Sequence, residues 1–229
     1  TKPGTAPGTL SGRAPVADEA LDFTLVEYTP DDVQVVKGVE VDGNDALAHA
    51  LLAQRGDDGI SRSAASAIFK RQLEAHPEWV GVGTLWEPDA FDGKDAEYVS
   101  AEGHDDTGRF MSYWAWADGV PLQEALRDYE VPGAGDWYLR PRELKRAVVA
   151  EPYVYKIAGK DVLMTTLSTP VLDNGTYVGV MTVDFALQSL QERIAKLTPM
   201  DAGFVRLLTP AGVVMADQNS PTVGKPFAG

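Results

Sequence analysis

The chain has 229 residues, 44% of them hydrophobic and 24% charged, which is sufficient for a substantial buried core. Its formal net charge is -14, from 34 acidic and 20 basic residues, so the surface repels phosphates and nucleic acid is excluded as an expected partner. The absence of cysteine excludes disulfides, thiolate metal sites and a cysteine nucleophile.

The N-terminal 41 residues are predicted to contain a linker followed by short extended pieces. Residues 1–19 are rich in Pro, Gly, Thr and Ala, which predicts a flexible linker. Residues 23–41 combine β-branched and aromatic residues but are interrupted by Pro30, which favours short strands over a helix. The sequence contains no apolar run of the ~20 residues that a membrane span needs.

Two helices are predicted next. The first begins at Asn44 or Asp45 and runs through Ala53, with its leucines on one face. The second begins at Ser61 or Ser63, and Pro77 ends it.

The remainder of the chain has a strand-dominated pattern. Strands are predicted over residues 79–86, 110–117, 148–157, 162–171 and 177–185. Asn174-Gly175 predicts a hairpin between the last two strands, because both residues tolerate positive φ. A helix over residues 185–197 and a hairpin over residues 203–216 follow. Helices followed by an antiparallel meander indicate an α+β fold.

Several blocks of sequence, taken in order, carry a resemblance to a known family. The blocks are Trp86 to Asp95, Gly108-Arg109-Phe110, Tyr113-Trp114, Gly135-Asp136-Trp137-Tyr138, Glu151 to Tyr155, Gly159 to Met164, and Gly179 to Asp184. Between Trp79 and Leu190 the chain resembles the membrane-distal module of the double-Cache (PDC-like) sensors of bacterial chemoreceptors and sensor kinases. The resemblance implies an extracytoplasmic domain that binds a small molecule and has no catalytic activity.

The resemblance also implies a domain organisation. Residues 20–197 are expected to form the membrane-distal Cache module with its N-terminal helices. Residues 198–229 are expected to begin a membrane-proximal module whose last strands are missing, since Gly224-Lys225-Pro226 matches a point midway through it. The expected fold is a PAS-like antiparallel sheet of five or six strands, with the helices on one face and the pocket over the other. The parent protein is expected to be anchored to a membrane by segments absent from this chain.

An unusual density of Tyr and Trp predicts the pocket wall. Tyr and Trp carry polar tips that must be satisfied when buried, so as a set they are typical of wet pockets. Tyr153 and Tyr155 flank Val154, which places both rings on one face of a strand. The candidate ligand-binding residues are Tyr113, Trp114, Tyr129, Trp137, Tyr138, Tyr153, Tyr155 and Asp184.

Asp184 is the candidate anchor for the ligand. It ends an apolar run, where an unpaired carboxylate would be costly to bury and needs a donor or a cation. An exposed Asp184 that caps the following helix is the structural alternative. In the amino-acid-binding branch of the family, the matching aspartate holds the ligand's ammonium group. That branch also places a carboxylate-binding Arg where this chain has Gly135, so an amine ligand is expected first.

An amine is therefore the ligand class expected first, a purine or other nucleobase the second, and an amino acid or carboxylate the third. No cofactor and no metal are expected, because the acidic block of residues 86–95 lacks the spacing of a calcium loop. The sequence also lacks the common hydrolase, metalloprotease and phosphate-binding motifs. The rival class is an interaction module, in which the aromatic face docks a protein partner or a second copy as a homodimer.

Overall fold

The protein is described by a computed structural model that covers residues 24–29, 32–37, 42–56, 58–197, 204–219 and 222–227. The predicted linker, residues 1–19, lies outside these residues. No helix among them is both long and apolar enough to cross a membrane.

The described residues form an α+β fold, as predicted. The helices are α1 (Asp42–Gln54), α2 (Arg62–Ala75), α3 (Asp136–Leu144) and α4 (Leu187–Ile194). The strands are β1 (Thr24–Thr29), β2 (Asp32–Lys37), β3 (Gly81–Trp86), β4 (Met111–Ala117), β5 (Val120–Glu124), β6 (Val148–Val149), β7 (Tyr153–Ile157), β8 (Lys160–Asp173), β9 (Thr176–Ala186), β10 (Phe204–Leu208) and β11 (Val214–Asp217).

The large sheet is antiparallel and has seven strands, in the order β5-β4-β3-β9-β8-β6, with β7 also paired to β8. Five or six strands were expected. The difference arises because the segment predicted as one strand over 148–157 breaks at residues 150–152, and because β5, which contains Pro121, was not predicted. A proline is tolerated there because β5 is an edge strand.

The hairpin between β8 and β9 has the turn that its sequence predicts. Asn174 and Gly175 both have positive φ, 48° and 78°, and Asp173 pairs with Thr176 across the turn. Successive positive φ values give the backbone twist that joins two right-twisted strands without splaying them.

A second, small sheet has the order β11-β10-β1-β2. Strand β1 pairs with β10 and with β2, so residues 24–29 and 32–37 share this sheet with β10 and β11, although they were expected to belong to the membrane-distal module. A single boundary at residue 197 therefore does not separate the two sheets.

Helix α4 joins the two sheets. It follows β9 directly, and its Ile194 packs with Val205 and Ala216 of the small sheet. The Gln191 side chain makes two hydrogen bonds to the backbone of Asp217: its amide donates to the carbonyl at 2.7 Å and its oxygen accepts from the N–H at 2.8 Å. The large sheet is thus linked to the small one by both covalent continuity and polar contacts.

The two faces of the large sheet have separate apolar clusters. Ala48 and Leu51 of α1 and Phe69 of α2 pack with Val82 and Val183 on one face. The other face carries a cluster built from the sheet and α3, which includes Leu85, Met111, Tyr113, Trp137 and Tyr138. The N-terminal helices therefore cover one face, as expected, and α3 covers part of the other.

A buried ion cluster fixes the turn after β3. Arg62, at the start of α2, is 3% exposed and donates to Asp92 at 2.6 and 2.8 Å and to Asp95 at 2.6 Å. Its guanidinium lies 4.2 Å from the ring centroid of Tyr98 and also donates to the carbonyl of Gly108. Two acidic residues of the 86–95 block therefore serve to hold a cationic side chain in a structured turn.

Candidate functional site

A small cavity of about 10 Å³, enough for about one water molecule, lies on the sheet face opposite the N-terminal helices. This is far below the ~300–1,000 Å³ of typical ligand pockets, so a ligand larger than a water molecule must displace the side chains of the cavity wall. The lining residues are Tyr113, Leu126, Trp137, Tyr153, Tyr155, Met164, Thr166, Thr182 and Asp184.

Asp184 is the acidic group of the cavity. It lies within β9, opposite Gly81 of β3 and Thr166 of β8, and it is 3% exposed. Its Oδ2 accepts from the Tyr113 hydroxyl at 2.7 Å and its Oδ1 accepts from Thr166 Oγ1 at 2.6 Å. Burial raises the pKa of Asp184 to about 6, although both hydrogen bonds act in the opposite direction. The alternative that Asp184 is exposed and caps a helix is wrong, since Ala186 holds the N-cap position of α4.

Tyr113 reaches Asp184 through a gap formed by two glycines. It lies on β4 and must cross β3 to reach β9. A Cβ added to Gly81 would lie 2.4 Å from the Tyr113 hydroxyl oxygen, and one added to Gly83 would lie 3.1 Å from Cδ2 of the same ring. We call Gly81 and Gly83 the glycine gap, because their missing side chains leave the space that the phenol ring occupies.

Thr166 is held between Asp184 and Tyr153. The Tyr153 hydroxyl lies 2.6 Å from Thr166 Oγ1. A threonine hydroxyl has one proton, which Thr166 donates to Asp184, so Tyr153 must donate to Thr166. Three strands are thereby joined by one chain of hydrogen bonds, from β7 through β8 to β9.

The walls of the cavity are aromatic and hold few charges. The Tyr155 ring is edge-on to Tyr153 and Tyr113, with interplanar angles of 74° and 81°, and its hydroxyl accepts from the backbone N–H of Arg127. Trp137 is 3% exposed, and its indole N–H has no partner among the described residues. Burial, with the Asp184 carboxylate next, raises the pKa of both Tyr113 and Tyr153 well above its ordinary value, so both remain donors.

The structure brings together five of the eight candidate residues. Those that line the cavity are Tyr113, Trp137, Tyr153, Tyr155 and Asp184. Tyr153 and Tyr155 share a face, as their alternation predicts.

Trp114 does not line the cavity, which corrects one of the candidates. It follows Tyr113 on β4, and successive strand residues point to opposite faces. Its indole N–H accordingly donates to Ser66 of α2 at 2.9 Å, and its ring packs with the cluster on the helix-covered face.

Tyr129 and Tyr138 also lie outside the cavity, although they belong to the cluster on its side of the sheet. The Tyr129 hydroxyl donates to Asp105 at 2.5 Å, and the Tyr138 hydroxyl donates to Glu87. Their polar tips are thus satisfied by carboxylates elsewhere, which removes the reason for placing them in a wet pocket.

Six residues that form or shape the cavity were not predicted. They are Gly81, Gly83, Leu126, Met164, Thr166 and Thr182. The two glycines alternate on one face of β3, and this spacing is a signal that a side chain from a neighbouring strand lies across it. The threonines carry no such signal, because threonine is an ordinary strand residue.

The large sheet and the cavity lie in a region that matches a known family of sensor domains. The profile described as methyl-accepting chemotaxis protein-like, first PDC sensor domain, matches residues 65–192, which is more than half of the chain. The chain belongs to this family. The matched region contains every residue that lines the cavity.

Two curated relatives of this PDC sensor domain are chemoreceptors. It is 33% identical over 172 residues to the methyl-accepting chemotaxis protein TlpQ of Pseudomonas aeruginosa, a match over 68% of this chain and 24% of that protein. It is 29% identical over 119 residues to the methyl-accepting chemotaxis protein PscA of Pseudomonas syringae pv. tomato, which covers 50% of this chain and 18% of that protein. The chain therefore spans about a quarter or less of the length of these relatives.

Solved structures agree with the PDC assignment. The extracellular domain of a protein described as histidine kinase mmHK1S-Z3 is 29% identical, with a TM-score of 0.67, over 80% of this chain and 64% of that one. A structure of Methyl-accepting Chemotaxis protein X is 26% identical, with a TM-score of 0.63, over 81% of this chain and 71% of that one. This PDC domain is thus a periplasmic or extracellular sensor domain, and domains of this kind act in signalling.

Proposed function

We propose that this sensor domain binds a small organic amine, a polyamine or a quaternary ammonium compound, with Asp184 as the anchor of the positive charge. The observation that carries the proposal is the buried Asp184 carboxylate at the wall of an aromatic cavity. Tyr113, Trp137, Tyr153 and Tyr155 form the aromatic box around the ligand.

The charge of the cavity favours a cation. Asp184 is the single acidic residue among the nine that line it in the described part of the chain, and none of the nine is Lys, Arg or His. Each Asp184 oxygen accepts one hydrogen bond, whereas a carboxylate has about four acceptor sites in total, so acceptor capacity remains for an ammonium group. A cation over an aromatic face gains about 0.5–2 kcal/mol per contact.

The same features argue against the other ligand classes. A carboxylate on the ligand would meet no basic side chain at the cavity wall, which disfavours amino acids and organic acids. A purine stacks best between parallel rings, but Tyr155 is edge-on to both Tyr113 and Tyr153.

Calorimetric titration with matched ligands tests the proposal. Propylamine, 1,4-diaminobutane and choline represent the three kinds of cation. Propanol, propionate and glycine are the matched neutral, anionic and zwitterionic controls. We expect at least one cation to bind and to raise the melting temperature by mass action, and the controls to do neither. Asp184→Asn keeps the size of the side chain and should abolish that binding.

Two results would overturn the amine assignment. Binding of adenine or glycine in place of the cations would move the domain to another ligand class. Unchanged cation affinity in Asp184→Asn would remove the anchor. If no compound binds and the protein dimerises through the aromatic face, the interaction module replaces the sensor.

The surrounding architecture extends the proposal. We infer that residues 198–229 begin a membrane-proximal module, and that the native protein is a membrane-anchored receptor. The contacts of α4 with β11 support a path by which ligand binding at β9 reaches that module.

A further inference from the structure

The carboxylate that faces the cavity is itself positioned by a threonine. Thr166 of β8 lies directly opposite Asp184 of β9 and is 1% exposed. Its hydroxyl donates to Asp184 Oδ1 at 2.6 Å and accepts from the Tyr153 hydroxyl. We propose that Thr166 is a positioning residue for the ligand, because it fixes the orientation of Asp184 and favours its ionised form. This proposal rests on the amine-binding function.

The direction of the hydrogen bonds makes Thr166 effective. A free threonine hydroxyl can rotate and present either its proton or a lone pair to a neighbour. Here the Tyr153 hydroxyl occupies a lone pair of Thr166 Oγ1, so the Thr166 proton is directed to Asp184. A hydrogen bond to the charged form of a carboxylate stabilises that form, and a cationic ligand requires it.

The titratable groups around Asp184 do not supply this stabilisation by charge. Tyr113 faces the carboxylate from β4, and Tyr153 and Tyr155 face it from β7. All three are neutral phenols whose ionisation burial opposes. Hydroxyl donors from Tyr113 and Thr166 are therefore what stabilises the ionised Asp184 in the ligand-free cavity.

The decisive variants are Thr166→Val, which has the same shape without a hydroxyl, and Thr166→Ser, which keeps the hydroxyl. Carbon-detected NMR of the ligand-free protein measures the titration midpoint of Asp184. We expect Thr166→Val to shift this midpoint to higher pH, and Thr166→Ser to leave it near that of the unmodified protein. Tyr153→Phe removes the group that directs the Thr166 proton and should give a smaller shift in the same direction.

Ligand affinity is the second readout, with propylamine, 1,4-diaminobutane and choline as probes at pH 7. Thr166→Val should weaken the cation that binds by about 10- to 100-fold, the range for a hydrogen bond to a charged group, and Thr166→Ser should restore it. A Thr166→Val protein with unchanged Asp184 titration and unchanged affinity would overturn the proposal. If the unmodified protein binds none of the three cations, the amine function fails, while the titration still decides whether Thr166 controls Asp184.

Discussion

Replacing Asp184 by Asn should change how the stability of the ligand-free protein depends on pH. The folded-state pKa of Asp184 is about 6 against an ordinary 3.8, because burial disfavours the charged carboxylate. The folded protein thus holds the Asp184 proton more tightly than the unfolded chain does. The resulting stabilisation is complete below the unfolded pKa and is lost as the pH rises through about 6.

The size of this effect follows from the two pKa values. Between pH 8 and pH 5, the unmodified protein should gain about 1.4 kcal/mol of unfolding free energy relative to Asp184→Asn. For a chain of this length, that gain corresponds to about 3–6 °C in melting temperature. Any repacking cost of the asparagine is present at both pH values, so the change in the difference isolates the ionisation of Asp184.

Urea unfolding of both proteins at several pH values between 5 and 8 measures the difference. Asp105→Asn is a matched control: burial acts to raise the pKa of Asp105, but hydrogen bonds from Thr107 and Tyr129 lower it overall. Asp105 is thus ionised in both the folded and the unfolded protein from pH 8 to pH 5, so the stability difference caused by Asp105→Asn should stay constant over that range. A stability difference between Asp184→Asn and the unmodified protein that stays constant from pH 8 to pH 5 would refute the reasoning.

Three further perturbations test other parts of the structure. Gly81→Ala places a methyl group against the Tyr113 hydroxyl, so cation affinity should fall about tenfold, the value of roughly one hydrogen bond to a charged group. In calorimetry, the loss of affinity in the double variant with Tyr113→Phe should be less than the sum of the two single losses, and full additivity would contradict the role of the glycine gap. Arg62→Met leaves Asp92 and Asp95 without their cation, so the free energy of unfolding, measured with denaturant at pH 7, should fall by about 3–5 kcal/mol. A loss under 1 kcal/mol would show that water replaces the guanidinium. Gln191→Leu removes both hydrogen bonds to the Asp217 backbone, so amide hydrogen exchange at residues 214–217 should accelerate while cation affinity is retained. Unchanged exchange would mean that apolar packing alone holds α4 against the small sheet.

Local signals predicted most of the fold. Ser61 caps α2 with its side chain, and the Asn174-Gly175 turn sets the register of β8 and β9. Helix α3 was missed because Pro141 lies inside it and glycines precede it. It is stabilised by tertiary contacts, since Trp137 and Tyr138 bury their rings against the sheet, and such contacts cannot be read from local propensity.

Only some of the residues of the candidate site could be identified from the sequence, for a related reason. Strand alternation placed Tyr153 and Tyr155 correctly on one face, and the same rule applied to Tyr113 and Trp114 separates those neighbours onto opposite faces. Thr166 could not be identified, because its role depends on standing opposite Asp184, and that pairing is set by the register of two long strands. Register is a property of the assembled sheet, whereas residue type is a property of each position.

The position of α4 allows movement of the large sheet to be transmitted to the small sheet. The helix has 8 residues and is thus about 12 Å long, and it begins three residues after Asp184. A tilt of about 10° at Ala186 would displace its far end by about 2 Å, as the rise per residue of an α-helix fixes its length. Gln191, five residues after Ala186, would move by about 1.3 Å in the same tilt, and its two hydrogen bonds to Asp217 would carry that movement to β11. A small rotation of α4 at the end of β9 would therefore reach the small sheet through this pair of hydrogen bonds.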